Sequence, residues 1–201
     1  MTNSTIGPFD SRSSGRRGLL LLSVAAVVSL SLPSFAQTDK KTFSPEELDQ
    51  ILAPIALYDD ALLSQVLMAA TYPLEIVEAS RWLQANTNLK GDAAVKAVAD
   101  KSWDVSVKSM VAFPPVLSQL NDHLDWTQKL GDAFLGQQQD VAASIQRLRA
   151  KAAAAGTLKS GPQTTVTTES QGGETVYVVQ QASPDVVYVP SHRGDPRQEL
   201  E

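Results

Sequence analysis

Prolines divide the central part of the sequence into short segments with helical patterns. The breaks fall at Pro54, Pro73 and the pair Pro114-Pro115. The first segment begins with "SPEEL", which places Ser44 as the N-cap, Pro45 at the first helical position and Glu47 at the third. In this capping box, both polar side chains accept hydrogen bonds from backbone amides at the start of the helix. The helix should end near Leu52, because a proline disfavours helical backbone at the residue before it.

The second segment, "PIALYDDALLSQVLMAATYP", predicts a buried helix rather than a membrane span. Asp59 and Asp60 precede its apolar run, where short carboxylates can cap the first turn and meet the positive end of the helix dipole. At about 11 residues the helix is too short for a bilayer, which needs about 20. Its apolar residues nearly encircle it, as in the central helix of a core. They are Leu62, Leu63, Val66, Leu67, Ala69 and Ala70.

The next segments repeat the same helix signals. A third helix should begin at Pro73 in "PLEIVEASRWLQAN". In "NLKGDAAVKAVADKSWD", we expect Gly91 to turn the chain and Asp92 to cap a fourth helix. Two further short helices should meet at Pro114-Pro115.

The last helical segment is the longest, and its apolar spacing predicts one helix over residues 125–155. Gly131 and Gly136 weaken it by about 1 kcal/mol each relative to alanine, so we expect a bend or a close helix contact there. Basic residues precede its end, where the helix dipole is negative, and Gly156 should stop it.

Beyond residue 160 the pattern changes from helix to strand. Three runs rich in Val, Thr and Tyr, "QTTVTTES", "ETVYVVQQ" and "DVVYVP", are separated by "QGG" and "ASP" turns. We expect two or three strands, which either pack on the helices or offer an interaction edge. If their edge is exposed, no lysine in these runs protects it from pairing with another strand. Because the helix caps and apolar stripes end at Gly156, removing residues 161–201 should leave the helices folded and reduce partner binding or self-association.

The N-terminal residues have the three-part pattern of an export signal. Arg12, Arg16 and Arg17 precede an apolar run over residues 18–32, and Ser34 and Ala36 are the small residues before a cut. We expect cleavage after Ala36 and a periplasmic or envelope location. The alternative is a retained membrane anchor, although about 15 apolar residues are few for a span. The paired arginines leave Sec and twin-arginine export both open.

Composition narrows the classes of function. The formal charge of the chain is −5, and loss of the leader removes three arginines and one aspartate, which gives about −7. An acidic chain without a basic stripe does not suit nucleic acid, so we expect no nucleic-acid partner. Cysteine is absent, which excludes disulfides, thiol nucleophiles and thiolate metal sites. We expect membrane association only if the leader is retained.

No metal, cofactor or catalytic motif is present in the sequence. His123 and His192 lie far apart and belong to no HExxH pattern, and nucleophile-elbow and phosphate-binding glycine motifs are absent. We therefore predict no catalytic, cofactor-binding or metal-binding residue. One alternative remains, in which Asp60 and Glu75 or Glu78 form a carboxylate pair like that of a glycan hydrolase. Each of these carboxylates also suits the first turns of a helix.

Three tryptophans admit two interpretations. Trp82, Trp103 and Trp126 could stack on sugars or anchor a partner. The more economical interpretation is that they pack the joints between short helices, because each indole buries a large area.

Two long runs of this sequence resemble a known family. They are "FSPEELDQILAPIALYDDALLSQVLMAATYPLEIVEASRWL" and "SWDVSVKSMVAFPPVLSQLNDHLDWTQKLGDAFLGQQQDVAASIQRLRAKAAAAGTL". They are similar to the bacterial domain of unknown function numbered 3300, over residues 43–190. The resemblance implies an exported envelope protein, some members being lipoproteins, and implies no activity or catalytic residue.

The sequence departs from the family pattern in two places. Tyr58-Asp59-Asp60 stands where the family tends to have Tyr-Pro-Asp, which loses a proline but keeps a cap. Family members usually continue after "VVYVP" into a long tail rich in Tyr, Pro and Gly, whereas this sequence ends in "SHRGDPRQELE". We therefore expect a shortened tail.

Together these observations predict a mainly α protein, a bundle of short helices with a long final helix, followed by a small two- or three-stranded β element. The expected organisation is a signal peptide over residues 1–36, a linker over 37–43, a helical domain over 44–156, a β element over 157–190 and a polar tail over 191–201. The preferred hypothesis is a non-enzymatic interaction or structural module. It would bind an envelope protein or cell-wall partner through its C-terminal strands.

Overall fold

The computed structural model describes residues 42–182. Within this range the chain forms eight helices and then a two-stranded antiparallel sheet, which confirms the predicted mainly α fold. The helices are α1 (Pro45–Leu52), α2 (Asp60–Ala69), α3 (Pro73–Ala85), α4 (Gly91–Ala97), α5 (Val105–Met110), α6 (Pro114–Asp122), α7 (Leu124–Gly136) and α8 (Gln138–Ala154). The strands are β1 (Thr164–Gln171) and β2 (Glu174–Gln181).

The predicted capping box opens α1. Ser44 Oγ accepts the Glu47 N–H at 3.2 Å, and Glu47 Oε2 accepts the Ser44 N–H at 2.8 Å. Pro45 occupies the first helical position, where its missing N–H leaves no bond unmade. The helix ends at Leu52, as the proline at position 54 predicts.

Helix α2 lies in the core, as its encircling apolar residues predict. It packs against α5 and α7, and its apolar side chains Leu62, Leu63, Val66, Leu67 and Ala69 are all buried. Asp59 is its N-cap, with Oδ1 accepting the Leu62 N–H at 3.0 Å. Among residues 42–182, no helix combines the length and the apolar character that a membrane span requires.

The prediction of one helix over residues 125–155 is wrong. The helix breaks at Gln137, whose φ of −143° and ψ of 48° are not helical, and α8 starts at the next residue. The Gln137 side chain explains the break, because Oε1 accepts the Phe43 N–H at 2.7 Å and Nε2 donates to the Phe43 C=O at 3.1 Å. Gly136 precedes the break, and Gly131 lies directly against the Ala70 carbonyl, so both glycines mark the expected bend and close contact. Helix α8 remains the longest at 17 residues and ends before Gly156.

The predicted cap of α4 is also wrong. Lys90 is the N-cap and makes no side-chain capping bond, while Asp92 lies inside the first turn. Gly91 does turn the chain, with a φ of 54° that suits glycine. Asp92 therefore contributes charge near the helix start rather than a cap.

The strands form a hairpin with Val166 opposite Val179. Its turn is Gly172-Gly173, with φ values of 61° and 88°, as a two-residue turn that matches strand twist requires. Several predictions concern residues outside the described range: the leader and its cut after Ala36, the third strand "DVVYVP" with Tyr188, His192 and the polar tail.

Candidate interaction site

Arg149 of α8 ties the hairpin to the helices. It is 1% exposed, and its guanidinium donates to the carbonyl oxygens of Ala56 at 2.8 Å, Tyr58 at 3.0 Å and Tyr177 at 2.9 Å. Its Nη1 also lies 2.7 Å from Asp60 Oδ1. A buried guanidinium needs such acceptors, because an unpaired buried charge is very costly. One side chain therefore joins the α1–α2 connection, α2 and β2.

Side chains from α2 and α8 cover the outer edge of β2. Gln146 Oε1 accepts the Tyr177 N–H at 2.8 Å, and Gln146 Nε2 donates to the Tyr177 C=O at 3.2 Å. Asp60 Oδ2 accepts the Val179 N–H at 3.3 Å. The amide of Gln146 thus offers a donor and an acceptor side by side, as a residue of a neighbouring strand would. This edge of the hairpin is occupied.

The prediction that Asp60 caps α2 is therefore wrong. Asp60 is the first residue of the helix, and its two carboxylate oxygens bind Arg149 and the Val179 N–H instead of first-turn amides. Asp59 provides the cap, and its second oxygen accepts a hydrogen bond from Gln181 Nε2 at 3.2 Å. The two neighbouring aspartates therefore both contact the sheet from the start of α2.

The outer edge of β1 differs from that of β2. Tyr177 directs its N–H and C=O to Gln146, so Thr168, directly opposite, forms a pair without ladder hydrogen bonds. The N–H and C=O of Thr168 consequently point away from β2, and so do those of Ser170, two residues further along. Within residues 42–182, none of these four backbone groups has a hydrogen-bond partner.

The first half of this edge is closed by the chain that precedes β1. Ser160 Oγ accepts the Val166 N–H at 2.9 Å and donates to the Val166 C=O at 3.1 Å. The Gly161 N–H donates to the Thr164 C=O at 2.8 Å. In the described part of the chain, the open edge of β1 is therefore a short one that starts at Thr168.

The carboxylates proposed for a hydrolase make separate local contacts. Glu75 Oε2 accepts the Asp104 N–H at 2.6 Å, and Glu78 Oε2 accepts a hydrogen bond from Trp103 Nε1 at 2.8 Å. Glu75 and Glu78 belong to α3, which follows the last residue of α2, whereas Asp60 is the first residue of α2, a helix of 10 residues. Such a helix is about 15 Å long. Each carboxylate thus serves a local contact, and Asp60 contacts Arg149 and the Val179 N–H rather than Glu75 or Glu78.

The tryptophans pack helix joints, as the more economical interpretation predicts. Trp103 is buried, Trp82 and Trp126 are partly buried against the core, and Trp126 Nε1 donates to the Ile51 C=O at 2.8 Å. His123 lies exposed between α6 and α7, beside a groove of about 640 Å³. No group of three or more metal-ligating side chains occurs among residues 42–182.

A second charged cluster fastens α1 to α8. Asp49 Oδ1 accepts hydrogen bonds from Ser144 Oγ at 2.6 Å and Arg147 Nη2 at 2.7 Å, and Oδ2 lies 3.0 Å from Lys151 Nζ. Burial alone would raise the pKa of Asp49, but the hydrogen bonds from Ser144, Arg147 and Lys151 outweigh it and lower the pKa to about 2. The carboxylate is therefore ionised over the whole physiological range.

The sequence reasoning missed Gln146 and Arg149. A signal for Arg149 was available, because it follows Val141 and Ile145 at steps of four residues and so lies on their buried face. An arginine on an apolar stripe requires buried acceptors. Gln146 gave no comparable signal.

The described residues define a mainly helical domain whose last helix supports a β hairpin with one covered edge and one partly open edge. The chain belongs to the family described as "Protein of unknown function (DUF3300)", whose sequence pattern matches residues 44–196. It is 43% identical over 181 residues to the "Uncharacterized protein YacH" of Escherichia coli (strain K12). That match covers 76% of this chain and 29% of YacH, so the chain spans less than a third of this relative's length. No solved structure matches the chain.

Proposed function

We propose that the protein is exported to the periplasm or cell envelope and acts there as a non-enzymatic interaction module. In this proposal a strand of an envelope protein or cell-wall partner adds to the open edge of β1. The observation that supports it is the contrast between the two edges, because helix side chains occupy that of β2 while Thr168 and Ser170 leave theirs unpaired. Added strands gain affinity from backbone hydrogen bonds and specificity from alternate side chains.

The binding half of the proposal is tested by Thr168→Pro. Proline removes the outward N–H of Thr168 and does not remove a bond to β2, since that N–H takes no part in the ladder. Thr168→Val is the matched control, because it keeps the N–H and suits a strand. Both variants and the native protein are used as bait in envelope extract, with helical circular dichroism as a check on folding. Partners that Thr168→Val retains and Thr168→Pro loses support the proposal, and equal capture by both variants contradicts it.

The export half is supported by the leader pattern, with Arg16 and Arg17 before the apolar run and Ala36 before the expected cut. The mature protein should begin at Gln37 and occur in a periplasmic fraction. N-terminal sequencing of the protein from fractionated cells measures both. A chain from the envelope that still begins at Met1 or Thr2 would favour a retained anchor.

A further inference from the structure

We infer that the strand accepted by β1 is basic at the position opposite Glu169, and that it belongs to another protein rather than to a second copy of this chain. This inference rests on the proposed function. Glu169 lies between Thr168 and Ser170, the two residues whose backbone groups point outward. It is exposed, and no ion pair among residues 42–182 includes it.

The register places Glu169 in close contact with an added strand. Its own N–H and C=O face β2, opposite Val176, because the neighbouring residues direct theirs outward. Toward an antiparallel partner, Glu169 therefore forms a pair without hydrogen bonds. Such pairs have the closer side chains, with Cα atoms about 4.5 Å apart. The partner residue at this point meets the carboxylate directly, and opposite charges across strands are favourable.

A second copy of the chain would meet the same carboxylate. Antiparallel pairing about a two-fold axis uses both open residues when Thr168 of one copy faces Ser170 of the other. Glu169 then stands opposite Glu169 of the second copy, and directly opposed like charges are destabilising.

The neighbouring registers are less suitable for self-pairing. A shift toward the N-terminus brings Ser170 opposite Val166 of the other copy, whose N–H and C=O Ser160 already binds, so that only Thr168 finds a partner. A shift toward the C-terminus brings Thr168 opposite Gly172, which lies in the turn. Glu169 therefore disfavours association of the chain with itself and favours a strand with lysine or arginine at this point. Gln146 and Asp60 cover the other edge of the hairpin, so a strand can be added only at β1.

Two synthetic peptides test this inference. One is Thr-Val-Thr-Lys-Thr-Val-Thr and the other carries Glu in place of Lys, both with blocked termini so that end charges do not contribute. Each is titrated at low salt into ¹⁵N-labelled protein purified from the envelope fraction, and the amide signals of Thr168 and Ser170 are followed. We expect both peptides to shift these signals and the lysine peptide to bind about twofold to fivefold more tightly, as cross-strand charge pairs do.

Charge variants identify the residue responsible. Glu169→Lys should reverse the preference between the peptides. Glu174→Lys makes the same change in charge on β2 and should leave the preference intact, since Glu174 does not border the open edge. Sedimentation of the native protein should show a monomer.

The outcomes separate this inference from the proposed function. Equal affinity for both peptides contradicts a basic partner strand, and a native dimer that is lost in Thr168→Pro contradicts a partner other than a second copy. Either result leaves the proposed strand addition at β1 standing. Absence of any shift at Thr168 and Ser170 overturns the proposed function itself. Slow hydrogen exchange at the amides of Thr168 and Ser170 in the free protein also contradicts the proposed function, because it shows that the edge of β1 is already covered.

Discussion

Asp60 Oδ1 lies 2.7 Å from Arg149 Nη1, and this pair joins the first turn of α2 to α8 where the hairpin packs. The two partners differ in environment, because the Arg149 side chain is 2% exposed and the Asp60 side chain is 45% exposed. Removing the aspartate leaves a buried cation without its counter-charge. Removing the arginine leaves a carboxylate that water can reach. The loss of Asp60 is therefore the harsher change in electrostatic terms.

Asp60→Asn should lower the free energy of unfolding by about 2 to 3 kcal/mol, because the buried guanidinium keeps only neutral acceptors. This is more than the loss of an exposed helix cap would cause. Glu174→Gln, which changes an exposed carboxylate on β2, is the control and should have an effect below about 0.5 kcal/mol. Urea denaturation measures both. Equal midpoints for the two variants would show that Arg149 does not depend on Asp60.

Gln146→Ala should weaken the attachment of the hairpin by about 1 to 2 kcal/mol, because the N–H of Tyr177 loses its acceptor and its C=O loses one donor. Hydrogen exchange of the Tyr177 amide should become faster, while amides in α2 keep their protection. Gln139→Ala replaces an exposed glutamine of the same helix and serves as the control. Unchanged exchange at Tyr177 would mean that the glutamine side chain does not hold the edge.

Local signals in the sequence predicted the parts of the fold that depend on near neighbours. The capping box at Ser44 and Glu47 lies within four residues, and the glycine turn of the hairpin needs no distant partner. The break at Gln137 could not be predicted this way, because its side chain binds the backbone of Phe43, 94 positions earlier.

The candidate site also depends on pairings between residues that are distant in the sequence. Arg149 meets Ala56 and Tyr58 across more than 90 positions. The apolar stripe shows that Arg149 is buried, but not which carbonyl groups receive it. The covered and open edges of the hairpin follow from these contacts, so no pattern within the strands distinguishes them.

Gly131→Ala should destabilise the protein by about 1 to 3 kcal/mol through overpacking, because the new methyl group would meet the backbone carbonyl of Ala70. A backbone carbonyl cannot move aside as the far end of a flexible side chain can. Gly136→Ala is the matched control, since a methyl group there meets nothing within 4 Å. That variant should be neutral or slightly stabilising, because alanine favours helix more than glycine does. Thermal unfolding of both variants gives the comparison, and equal shifts would contradict the close contact.

Leu63→Ala and Leu67→Ala should each cost about 2 to 5 kcal/mol, because both side chains fill the core around α2. They are 5% and 6% exposed, respectively. Leu74→Ala makes the same chemical change at a side chain that is 80% exposed and should have little effect. A denaturant midpoint that hardly moves for Leu63 and Leu67 would show that α2 does not face a core.

The Asp49 cluster should make stability depend on pH in the acid range. The pKa of Asp49 is about 2 in the folded protein against 3.8 for a free aspartate, because Ser144, Arg147 and Lys151 bind its ionised form against the opposing effect of burial. A folded pKa below the unfolded one means that the stabilisation is complete above about pH 4 and is lost as pH falls toward 2. The shift corresponds to about 2 kcal/mol.

Asp49→Asn separates this contribution from those of the other carboxylates. At pH 7 the variant should be less stable than the native protein by about 2 kcal/mol, because Arg147 and Lys151 lose their counter-charge. Between pH 4 and pH 2 this difference should shrink, since protonation removes the same charge from the native protein. Urea denaturation at a series of pH values measures the difference, and Asp92→Asn is the control for an exposed aspartate in a first turn. A difference for Asp49→Asn that stays constant from pH 7 to pH 2 would mean that the carboxylate keeps an ordinary pKa and that its three partners do not act on its charge.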